Sequence, residues 1–491
     1  MLSIKSKTKI ALASIFTSVS IFSSVFISPS KAEEINKEEK VDVIIVGAGL
    51  SGLTTAYKLK KAGLKYKLLE INTRVGGRAR TAKYSDEVHV EAGLAEFWDS
   101  NPALKIIKEL GIKTHDSEAY SSFVYQGKVQ KYLAENDDEF LKSIFNKTEL
   151  EAFKKFGKKV HDYIEKIHNN KIDKTMFSFK NISLEDWVKK DKLPKKVEHF
   201  IRCIVEPEIG TSWSLISALD GIAELHMFVG KTEAPHEIEG GNDTLMEKLA
   251  DNIGRDNINL GTQVMRFKNL KDSVEIDAMD TSNFKHHTYK AKYAVSTIPL
   301  FRLAELQFDP QLPEKKKEAI STQTWGSYFT AHVFFKPEAK KYWEEKDGST
   351  YLPILSDSPL GVIYSANENK KDGGYIVNLL ITGAHAEGFN HRAVLFENVR
   401  NELNQAFEKF WKGSSKLITK YQFYRYHPRA IAAWPVGRSR FDELSNEIRK
   451  PFGRIYFAGD FTESSHSDGA VISAERVVND ILKLETKKIT K

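Results

Sequence analysis

Three glycines near the start of the chain have the spacing of a phosphate-binding turn. Gly47, Gly49 and Gly52 form a G-x-G-x-x-G pattern with Ala48 inside it, directly after the apolar run VDVIIV at 41–46. Such a continuous apolar run is typical of a parallel strand buried on both faces. Gly47 permits a tight turn, Gly49 lets a pyrophosphate approach the backbone, and Gly52 lets the following helix pack closely on the strand. The helix N-terminus then faces the phosphates. The pattern predicts a dinucleotide-binding unit.

A carboxylate and a second glycine turn follow. A short apolar run at 66–69 ends in Glu70, which can accept hydrogen bonds from a ribose. The sequence RVGGR comes next, so that a glycine doublet containing Gly77 lies between Arg74 and Arg78. The doublet allows close approach to a second phosphate, with which an arginine can form charge-assisted bonds. A simple nicotinamide-binding unit does not need this turn, so the pair of turns favours FAD over NAD.

Longer stretches of the chain resemble the flavin-containing amine oxidase family, which includes monoamine, polyamine and L-amino-acid oxidases. The similar stretches occur in the family's order and cover roughly half of the chain, from the first turn to the last helix. They are DVIIVGAGLSGL with LLEINTRVGGRARTA, VEAGLAEFWDSNPALKIIKELGI (90–112), EIEGGNDTLMEKLADNI (237–253), INLGTQVMRF (258–267), YAVSTIPLFRL (293–303) and GRIYFAGDFTESSHSDGAVISAERVVNDIL (453–482).

The resemblance implies further cofactor-binding residues outside the two glycine turns. Gly93 would lie in a turn against the flavin, and Val264 would meet the adenine through its backbone. Gly459 and Asp460 would reach the ribityl and pyrophosphate region. A helix beginning near Ala470 would point its positive end at the flavin ring.

The order of the similar stretches predicts an α/β fold, in which a Rossmann-type FAD-binding domain is interleaved with an α+β substrate domain. The predicted boundaries are a signal peptide at 1–32, a linker at 33–40, a discontinuous FAD-binding domain at 41–115, 232–300 and 440–482, a substrate domain at 116–231 and 301–439, and a basic tail at 483–491. The first insertion reads as helical, because apolar residues recur every three to four positions between Phe140 and Ile164. The second insertion reads mainly as strands, for example at 327–335 and 375–382.

Three departures from the family pattern bear on the chemistry. The only cysteine is Cys203, so the cysteine that tethers FAD in some members is missing and non-covalent FAD is expected. The segment ELQFDP at 305–310 contains no lysine, although many members have a flavin-proximal lysine in a similar segment. Alignment of the closing motif places Ala430 and His466 where monoamine oxidases have their two substrate-facing tyrosines.

The catalytic residues therefore stay unknown at this point. His466 and Trp434 are the substrate-facing candidates, although a loop histidine is usually solvated and a large aromatic residue often belongs to a core. His286 and His287 are adjacent but have no third ligand nearby in sequence, so no metal site is expected. Cys203, between apolar residues, is expected to be a small buried hydrophobic side chain.

The resemblance implies oxidation of a C–N bond of an amine or amino acid, with oxygen as acceptor, to give an imine and hydrogen peroxide. Two other interpretations stay open. The closing motif is also similar to that of desaturase-like flavoproteins that act on apolar substrates. A flavin-binding protein without turnover is the third possibility. Which small molecule is the substrate, and which oligomeric state the protein adopts, stay open.

Composition and charge limit the partners and the location. Apolar residues are 41% and charged residues 28% of the chain, which is ordinary for soluble globular proteins and excludes a polytopic membrane protein. The net charge is +7, but residues 1–32 contain four lysines and no acid.

A basic start, an apolar run and a small-x-small triplet predict a cleaved signal peptide and an exported protein, with an uncleaved membrane anchor as the alternative. Lysine clusters without interleaved aromatic residues indicate solvated faces, so no nucleic acid partner is expected.

Overall fold

The computed structural model describes residues 41–85, 88–116, 121–133, 136–225, 233–366, 375–392, 396–424 and 429–489. The predicted signal peptide and linker lie outside the described residues. In the described part of the chain, no helix is both long enough and apolar enough to cross a bilayer.

The apolar runs on either side of the glycine turn form the centre of the first sheet. Its strands, in spatial order, are Ile258–Asn259, Tyr66–Leu69, Val41–Val46, His286–Ser296, Val274–Asp280, Thr262–Asn269 and Gln307–Asp309, and Ile455–Phe457 also pairs with His286–Ser296. Five strands around the glycine turn, Ile258–Asn259, Tyr66–Leu69, Val41–Val46, His286–Ser296 and Ile455–Phe457, pair in parallel, and Val43 to Val46 are buried. A buried parallel centre is what a continuous apolar run requires, because both faces of the strand must be covered. Gln307–Asp309 extends this sheet beyond the predicted boundary at residue 300.

Two helices cover one face of the first sheet next to the glycine turn. Leu50–Lys61 follows the turn directly, and its buried residues include Leu53, Ala56 and Leu59 at helical spacing. Ser467–Ile489 packs against it, with a hydroxyl contact of 3.3 Å between Ser51 and Ser473. We call Ser467–Ile489 the closing helix. It also takes up most of the segment predicted to be a basic tail.

The second sheet is mostly antiparallel. Its spatial order is Ile418–Tyr424, Tyr328–Phe335, Tyr375–Thr382, Val362–Ser365, Ile354–Leu355, Ser122–Tyr125 and Lys128–Gln130. The long strand Tyr328–Phe335 is buried along most of its length and pairs on both sides. Its strands come from the two insertions that were predicted to form the substrate domain.

Helices from the first insertion build a separate apolar cluster. Asp137–Ile144 and Lys147–His168 bury the phenylalanines and branched residues whose spacing predicted them, and Asn146 with Glu149 forms a capping box at the start of the longer helix. Other helices are Ala103–Glu109, Lys174–Ser178, Leu184–Lys189, Lys195–Ile209, Ala218–Glu224, Asp243–Ile253, Leu300–Leu303, Glu314–Ser321, Gly383–Arg392, Phe396–Phe410 and Glu443–Arg449. Lys195–Ile209 and Ala218–Glu224 matter most for the site, because each supplies a carboxyl group to it.

Short strand pairs connect the larger layers. They are Thr81–Lys83 with His89–Glu91, Thr324–Gly326 with Ile431–Ala433, and Pro235–Ile238 between Phe97–Trp98 and Thr114–Asp116. Residues 40–491 form one compact unit. The insertions and the first sheet therefore belong to the same compact unit.

Candidate active site

The two predicted glycine turns lie side by side. Gly76 N–H donates to the Ala48 carbonyl at 2.8 Å, and Gly49 and Gly76 form a bridge of parallel type. A Cβ atom on Gly52 would lie 1.9 Å from the Gly47 carbonyl oxygen, whereas a Cβ on Gly49 would meet no atom within 4 Å. Gly52 is therefore required by packing, and Gly49 faces open space beside a helix N-terminus. This cradle of backbone amides fits the pyrophosphate of FAD.

Glu70 and Arg74 fasten these turns. The buried Glu70 carboxylate accepts from Ala48 N–H at 2.7 Å and from both the backbone and the side-chain nitrogen of Asn72. The Arg74 guanidinium donates to the carbonyl oxygens of Val75 and Gly77 at 2.9 and 2.7 Å. Both residues thus hold the shape of the turns, and the contact of Glu70 with a ribose stays a prediction.

Arg78 forms a bidentate ion pair with Asp460. Its Nη1 and Nη2 atoms lie 2.7 and 2.6 Å from the two carboxylate oxygens, and Nη1 also donates to the Ala430 carbonyl. Burial alone would lower the pKa of Arg78, but the Asp460 carboxylate outweighs it and raises the pKa. The Asp460 side chain is 3% exposed and the Arg78 side chain 40%. The guanidinium therefore keeps a face available for a phosphate or another anion.

The other predicted cofactor-binding residues lie in several elements, and Gly93 and Gly459 contact residues of the cradle region. A Cβ atom on Gly93 would lie 1.9 Å from the Arg78 carbonyl oxygen, so this glycine permits a close backbone approach. Gly459 has φ of +139° and donates its N–H to the Ser473 hydroxyl at 2.8 Å. Ala470 is buried in the first turn of the closing helix. Val264 is buried in the first sheet next to a β-bulge.

His466 belongs to a network of four charged side chains. Its Nε2 lies 2.7 Å from a carboxylate oxygen of Glu224, and the second oxygen of Glu224 accepts from Arg440. Arg440 Nε and N–H both bind Asp220, at 2.9 and 3.0 Å. The side chains of Glu224, Arg440 and Asp220 are at most 9% exposed, whereas that of His466 is 31% exposed. The imidazole is thus the most exposed member of an otherwise buried network of charged side chains. The sequence did not reveal this network.

The network fixes the charge of His466. Burial alone would lower the pKa of His466, but the Glu224 carboxylate outweighs it and raises the pKa to about 9, with the carboxylates of Glu208 and Asp468 acting in the same direction. Burial alone would raise the pKa of Glu224, but the charges of Arg440 and His466 hold it far below the usual range. Both shifts agree, so the pair is an imidazolium and a carboxylate at neutral pH.

The structure corrects the prediction that Trp434 could face the substrate. Trp434 is 2% exposed, and its indole N–H donates to the Ser445 hydroxyl at 3.1 Å. Its ring lies 4.7 Å from the Arg440 guanidinium, which is a favourable cation–π geometry. Trp434 is therefore a core residue that packs against Arg440 of the charge network.

Two further desolvated carboxyl groups, those of Glu208 and Glu96, were missed by sequence reasoning. Burial raises the pKa of Glu208 to about 6, with the His466 charge opposing this, and burial together with Glu208 and Glu237 raises the pKa of Glu96 to about 8. Both residues are partly accessible, and neither carboxyl group has a hydrogen-bond or ion-pair partner among the described residues. Groups that are strongly desolvated yet accessible border an internal space. A clue in the sequence was the placement of Glu208 within the apolar stretch of its helix.

Tyr328 interacts with groups of both the carboxyl pair and the cofactor region. Its hydroxyl donates to the carbonyl oxygens of Pro207 and Glu208, at 2.8 and 3.1 Å. Burial raises the pKa of Tyr328, and the carboxylates of Glu208 and Glu224 and the cation of Arg78 all act on it. Tyr328 is therefore close enough to Arg78, beside the glycine turns, and to Glu208 for the charges of both to act on it.

The segment 305–310, in which many family members have a flavin-proximal lysine, lies at the edge of the first sheet. Gln307 and Asp309 are exposed on an edge strand of the first sheet, paired with Arg266 and Lys268. The absence of lysine from 305–310 therefore says nothing about the internal space.

Cys203 is buried, as predicted, and burial raises the pKa of its thiol. The described residues contain no cluster of three His, Cys, Asp or Glu side chains able to hold a metal ion.

Fold and site together define a flavoprotein oxidoreductase, with a dinucleotide cradle and a group of desolvated ionisable side chains in its interior. The sequence model of the family described as flavin containing amine oxidoreductase matches residues 50–482. The chain belongs to this family and is an FAD-dependent amine oxidoreductase. The predicted family, fold class and cofactor are confirmed.

Individual relatives are similar over nearly the whole chain. Flavin-containing amine oxidase B of Homo sapiens is 23% identical over 473 residues, which cover 90% of this chain and 86% of the relative. Flavin-containing amine oxidase A of Sus scrofa is 22% identical over 481 residues, covering 91% and 86%.

Solved structures share the fold. Wild-type putrescine oxidase bound to putrescine superposes with a TM-score of 0.74 at 19% identity, covering 90% of this chain and 99% of that chain. Cyclohexylamine oxidase from Brevibacterium oxydans gives a TM-score of 0.69 at 18% identity, covering 91% and 100%.

Proposed function

We propose that the protein oxidises amines that enter the internal space as cations, with oxygen as acceptor, to give an imine and hydrogen peroxide. The observation that carries the proposal is the pair of desolvated carboxyl groups of Glu208 and Glu96, which interact with each other and have no hydrogen-bond or ion-pair partner among the described residues. A cation that binds beside these desolvated carboxyl groups favours their ionised form, and the resulting attraction is strong because little water screens the charges. The nearby cations of His466, Arg440 and Arg78 are each paired with a carboxylate.

This charge distribution favours amines over amino acids. The carboxylate of an amino acid would have to approach the unpaired carboxyl groups, which raises its free energy of binding. An apolar substrate, as in the desaturase-like alternative, would have to cover these groups and leave them without water. The related putrescine and cyclohexylamine oxidases are named for amines. Bound FAD would supply the hydride-accepting chemistry, and the residues of this chain would bind and orient the substrate and exclude water.

The experiment is a peroxide assay of the FAD-loaded protein with primary amines, diamines and amino acids, comparing wild type with Glu208→Gln. We expect peroxide with amines, and a kcat/KM lower by about 10- to 100-fold in the variant, corresponding to about 1.4–2.7 kcal/mol. Glu198→Gln removes the same charge from the same helix, three turns away, and should behave like wild type. Peroxide from amino acids alone, or equal loss in both variants, would contradict the proposal.

A protein that binds flavin without turnover predicts a different result. Its FAD would be reduced by light in the presence of a donor, but no amine would bleach the flavin under anaerobic conditions. Rapid anaerobic bleaching by an amine therefore separates our proposal from this alternative.

We also propose that FAD is held without a covalent bond. Cys203 is the only cysteine, and its side chain is buried in the helix Lys195–Ile209. Acid precipitation should leave the yellow flavin in the supernatant, and flavin that stays with the pellet would overturn this.

Finally, we propose that the protein is exported. The proposal rests on the sequence of residues 1–32, with lysines, an apolar run and the triplet SKA before two glutamates. Cell fractionation with N-terminal sequencing should find a mature chain that begins near Glu33 outside the cytoplasm. A chain that still begins at Met1 in the cytoplasm would refute export, and one that begins at Met1 in the membrane fraction would indicate an uncleaved anchor.

A further inference from the structure

The helix that carries Glu208 ends against the longest-buried strand of the second sheet. Tyr328 begins that strand, Tyr328–Phe335, and its hydroxyl donates to the carbonyl oxygens of Pro207 and Glu208, at 2.8 and 3.1 Å. Both carbonyl groups belong to the last turn of Lys195–Ile209, where a helix has no further N–H groups of its own to bind them. One phenol hydroxyl therefore closes the end of this helix.

The last turn of the helix depends on such outside contacts more than most helix ends do. Pro207 lies inside the helix and has no N–H, so it cannot bind the carbonyl group four residues earlier. The final residues EPEI (206–209) include no basic side chain that could bind the terminal carbonyl groups. Gly210 ends the helix in the left-handed conformation, with φ of +61°. The hydroxyl of Tyr328 thus supplies a hydrogen bond that the helix itself cannot make.

Glycines let the helix end and the strand approach each other closely. A Cβ atom on Gly326 would lie 2.2 Å from a carbonyl oxygen at the end of the helix, and one on Gly210 would lie 2.8 Å from the Tyr328 ring. The Gly210 carbonyl also accepts from the N–H of Ser327 at 2.7 Å. The ring of Tyr328 has little room to move, so its hydroxyl fixes the backbone of Glu208 relative to the sheet.

This backbone decides where the Glu208 carboxyl group lies. The carboxyl group has no hydrogen-bond or ion-pair partner among the described residues. A side chain without a polar partner is not oriented by contacts of its own, so its place depends on the backbone that carries it. Burial raises the pKa of Tyr328, and the charges of Glu208 and Arg78 act on its hydroxyl. The same tyrosine thus lies near both the carboxyl group and the cofactor region.

We propose that Tyr328 is a positioning residue for the binding of amine cations, because its hydroxyl holds the end of Lys195–Ile209 and with it the Glu208 carboxyl group. The inference rests on the proposed function. Groups that are ordered before a ligand arrives lose less conformational entropy on binding, which strengthens the binding. Tyr328 acts through Glu208 and takes no part in the reaction itself.

The test is a double-mutant cycle on the FAD-loaded protein, with Tyr328→Phe, Glu208→Gln and the two changes together. The probe is tetramethylammonium, a permanent cation without the nitrogen lone pair that hydride loss needs. Its dissociation constant is measured by calorimetry at pH 7. The control Tyr421→Phe removes a hydroxyl from the neighbouring strand, where it donates to Asn404 at 2.7 Å. Tyr421 pairs with Val333, so it lies on the opposite face of the sheet from Tyr328.

We expect weaker binding of the probe in both single variants. Glu208→Gln loses the charge and should bind about tenfold more weakly, and Tyr328→Phe keeps the charge but frees the helix end, which should cost about threefold to tenfold. In the Glu208→Gln background, Tyr328→Phe should change the constant by less than about twofold, because the carboxylate through which it acts is missing. Tyr421→Phe should match wild type.

A conservative replacement provides a rescue. 4-Aminophenylalanine at position 328 keeps a hydrogen-bond donor at the same place and should restore the wild-type affinity. If Tyr328→Phe does not fold, 4-fluorophenylalanine at this position fills the space of the hydroxyl but cannot donate, and it gives the same comparison.

Additive effects of the two changes would overturn the inference. Wild-type affinity in Tyr328→Phe, a loss that the amino analogue does not rescue, an equal loss in Tyr421→Phe, or no binding of the probe by wild type would overturn it as well. These outcomes do not depend on turnover, because the probe is not oxidised. A wild-type protein that releases no peroxide with any amine would instead refute the proposed function.

Discussion

The contrast between Gly49 and Gly52 separates the binding of FAD from the folding of the turn. We expect Gly52→Ala to disrupt the turn itself, because its Cβ would lie 1.9 Å from the Gly47 carbonyl oxygen. Gly49→Ala should leave the unfolding temperature of the apoprotein unchanged, since its Cβ meets no protein atom within 4 Å. It should still weaken FAD at least tenfold, because the methyl group occupies the place of the cofactor. Thermal unfolding and FAD titration measure the two effects, and unchanged FAD affinity in Gly49→Ala would contradict the assigned cradle.

The ion pair of Arg78 and Asp460 makes a second prediction. Arg78→Ala leaves a carboxylate that is 3% exposed without its bidentate partner. An unpaired buried charge costs about 3–5 kcal/mol. The double variant Arg78→Ala with Asp460→Asn should recover part of the apoprotein stability, but not the affinity for FAD. Recovery of FAD binding in the double variant would show that Arg78 serves only to neutralise Asp460.

Single residues divide into those that a local pattern can assign and those that it cannot. Gly47, Gly49 and Gly52 were assigned because a turn and the start of a helix are local and their glycine spacing has a physical reason. The network around His466 could not be assigned, since Glu224 is 242 residues away and Arg440 meets Asp220 across 220 residues. Trp434 was ambiguous for the same reason, because only packing decides whether an aromatic ring faces a core or a cavity.

At the scale of elements, the network joins the end of Ala218–Glu224 to the start of the closing helix, and it predicts a dependence of stability on pH. The pKa of His466 rises from 6.5 to about 9 on folding. Its contribution is thus fully present below pH 6.5 and is lost as the pH rises through about 9. The pKa of Glu224 falls on folding from 4.5, so its contribution is present above that pH and is lost as the pH falls towards the folded pKa.

The measurement is the difference in unfolding temperature between wild-type apoprotein and His466→Gln. This difference should be larger at pH 6 than at pH 10. For the exposed His161→Gln the difference should not depend on pH. A constant difference for His466→Gln would mean that the folded protein does not hold this imidazole as a cation.

Elements were predictable where burial on both faces leaves a continuous apolar run. Val41–Val46, Tyr66–Leu69 and Tyr375–Thr382 begin and end where the sequence placed them. The edge strand Gln307–Asp309 was not assigned to the first sheet, because a short strand with two exposed polar residues has no hydrophobic pattern. Pairing of an edge strand depends on its neighbour rather than on its own sequence.

At the scale of the whole molecule, binding of FAD should stabilise the native state as a whole, because the cofactor contacts several elements of the fold. A ligand that binds only the native state stabilises it by about 2.7 kcal/mol at a concentration 100 times its dissociation constant. The apoprotein should therefore unfold at a lower temperature than the holoprotein, with a midpoint that rises as FAD is added. A midpoint that does not respond to FAD in wild type would contradict the assignment of the cradle.

The contact between Ser51 and Ser473 joins residues that are 422 positions apart. During synthesis the first glycine turn emerges long before the closing helix, and until that helix arrives the turn lacks the segment that carries Gly459 and Ser473. We therefore expect flavin capture to be a late event, which follows translation of nearly the entire described chain. The yellow colour of bound flavin should then distinguish chains that include Gly459 and the closing helix from truncated ones. A product truncated before Gly459 should be colourless.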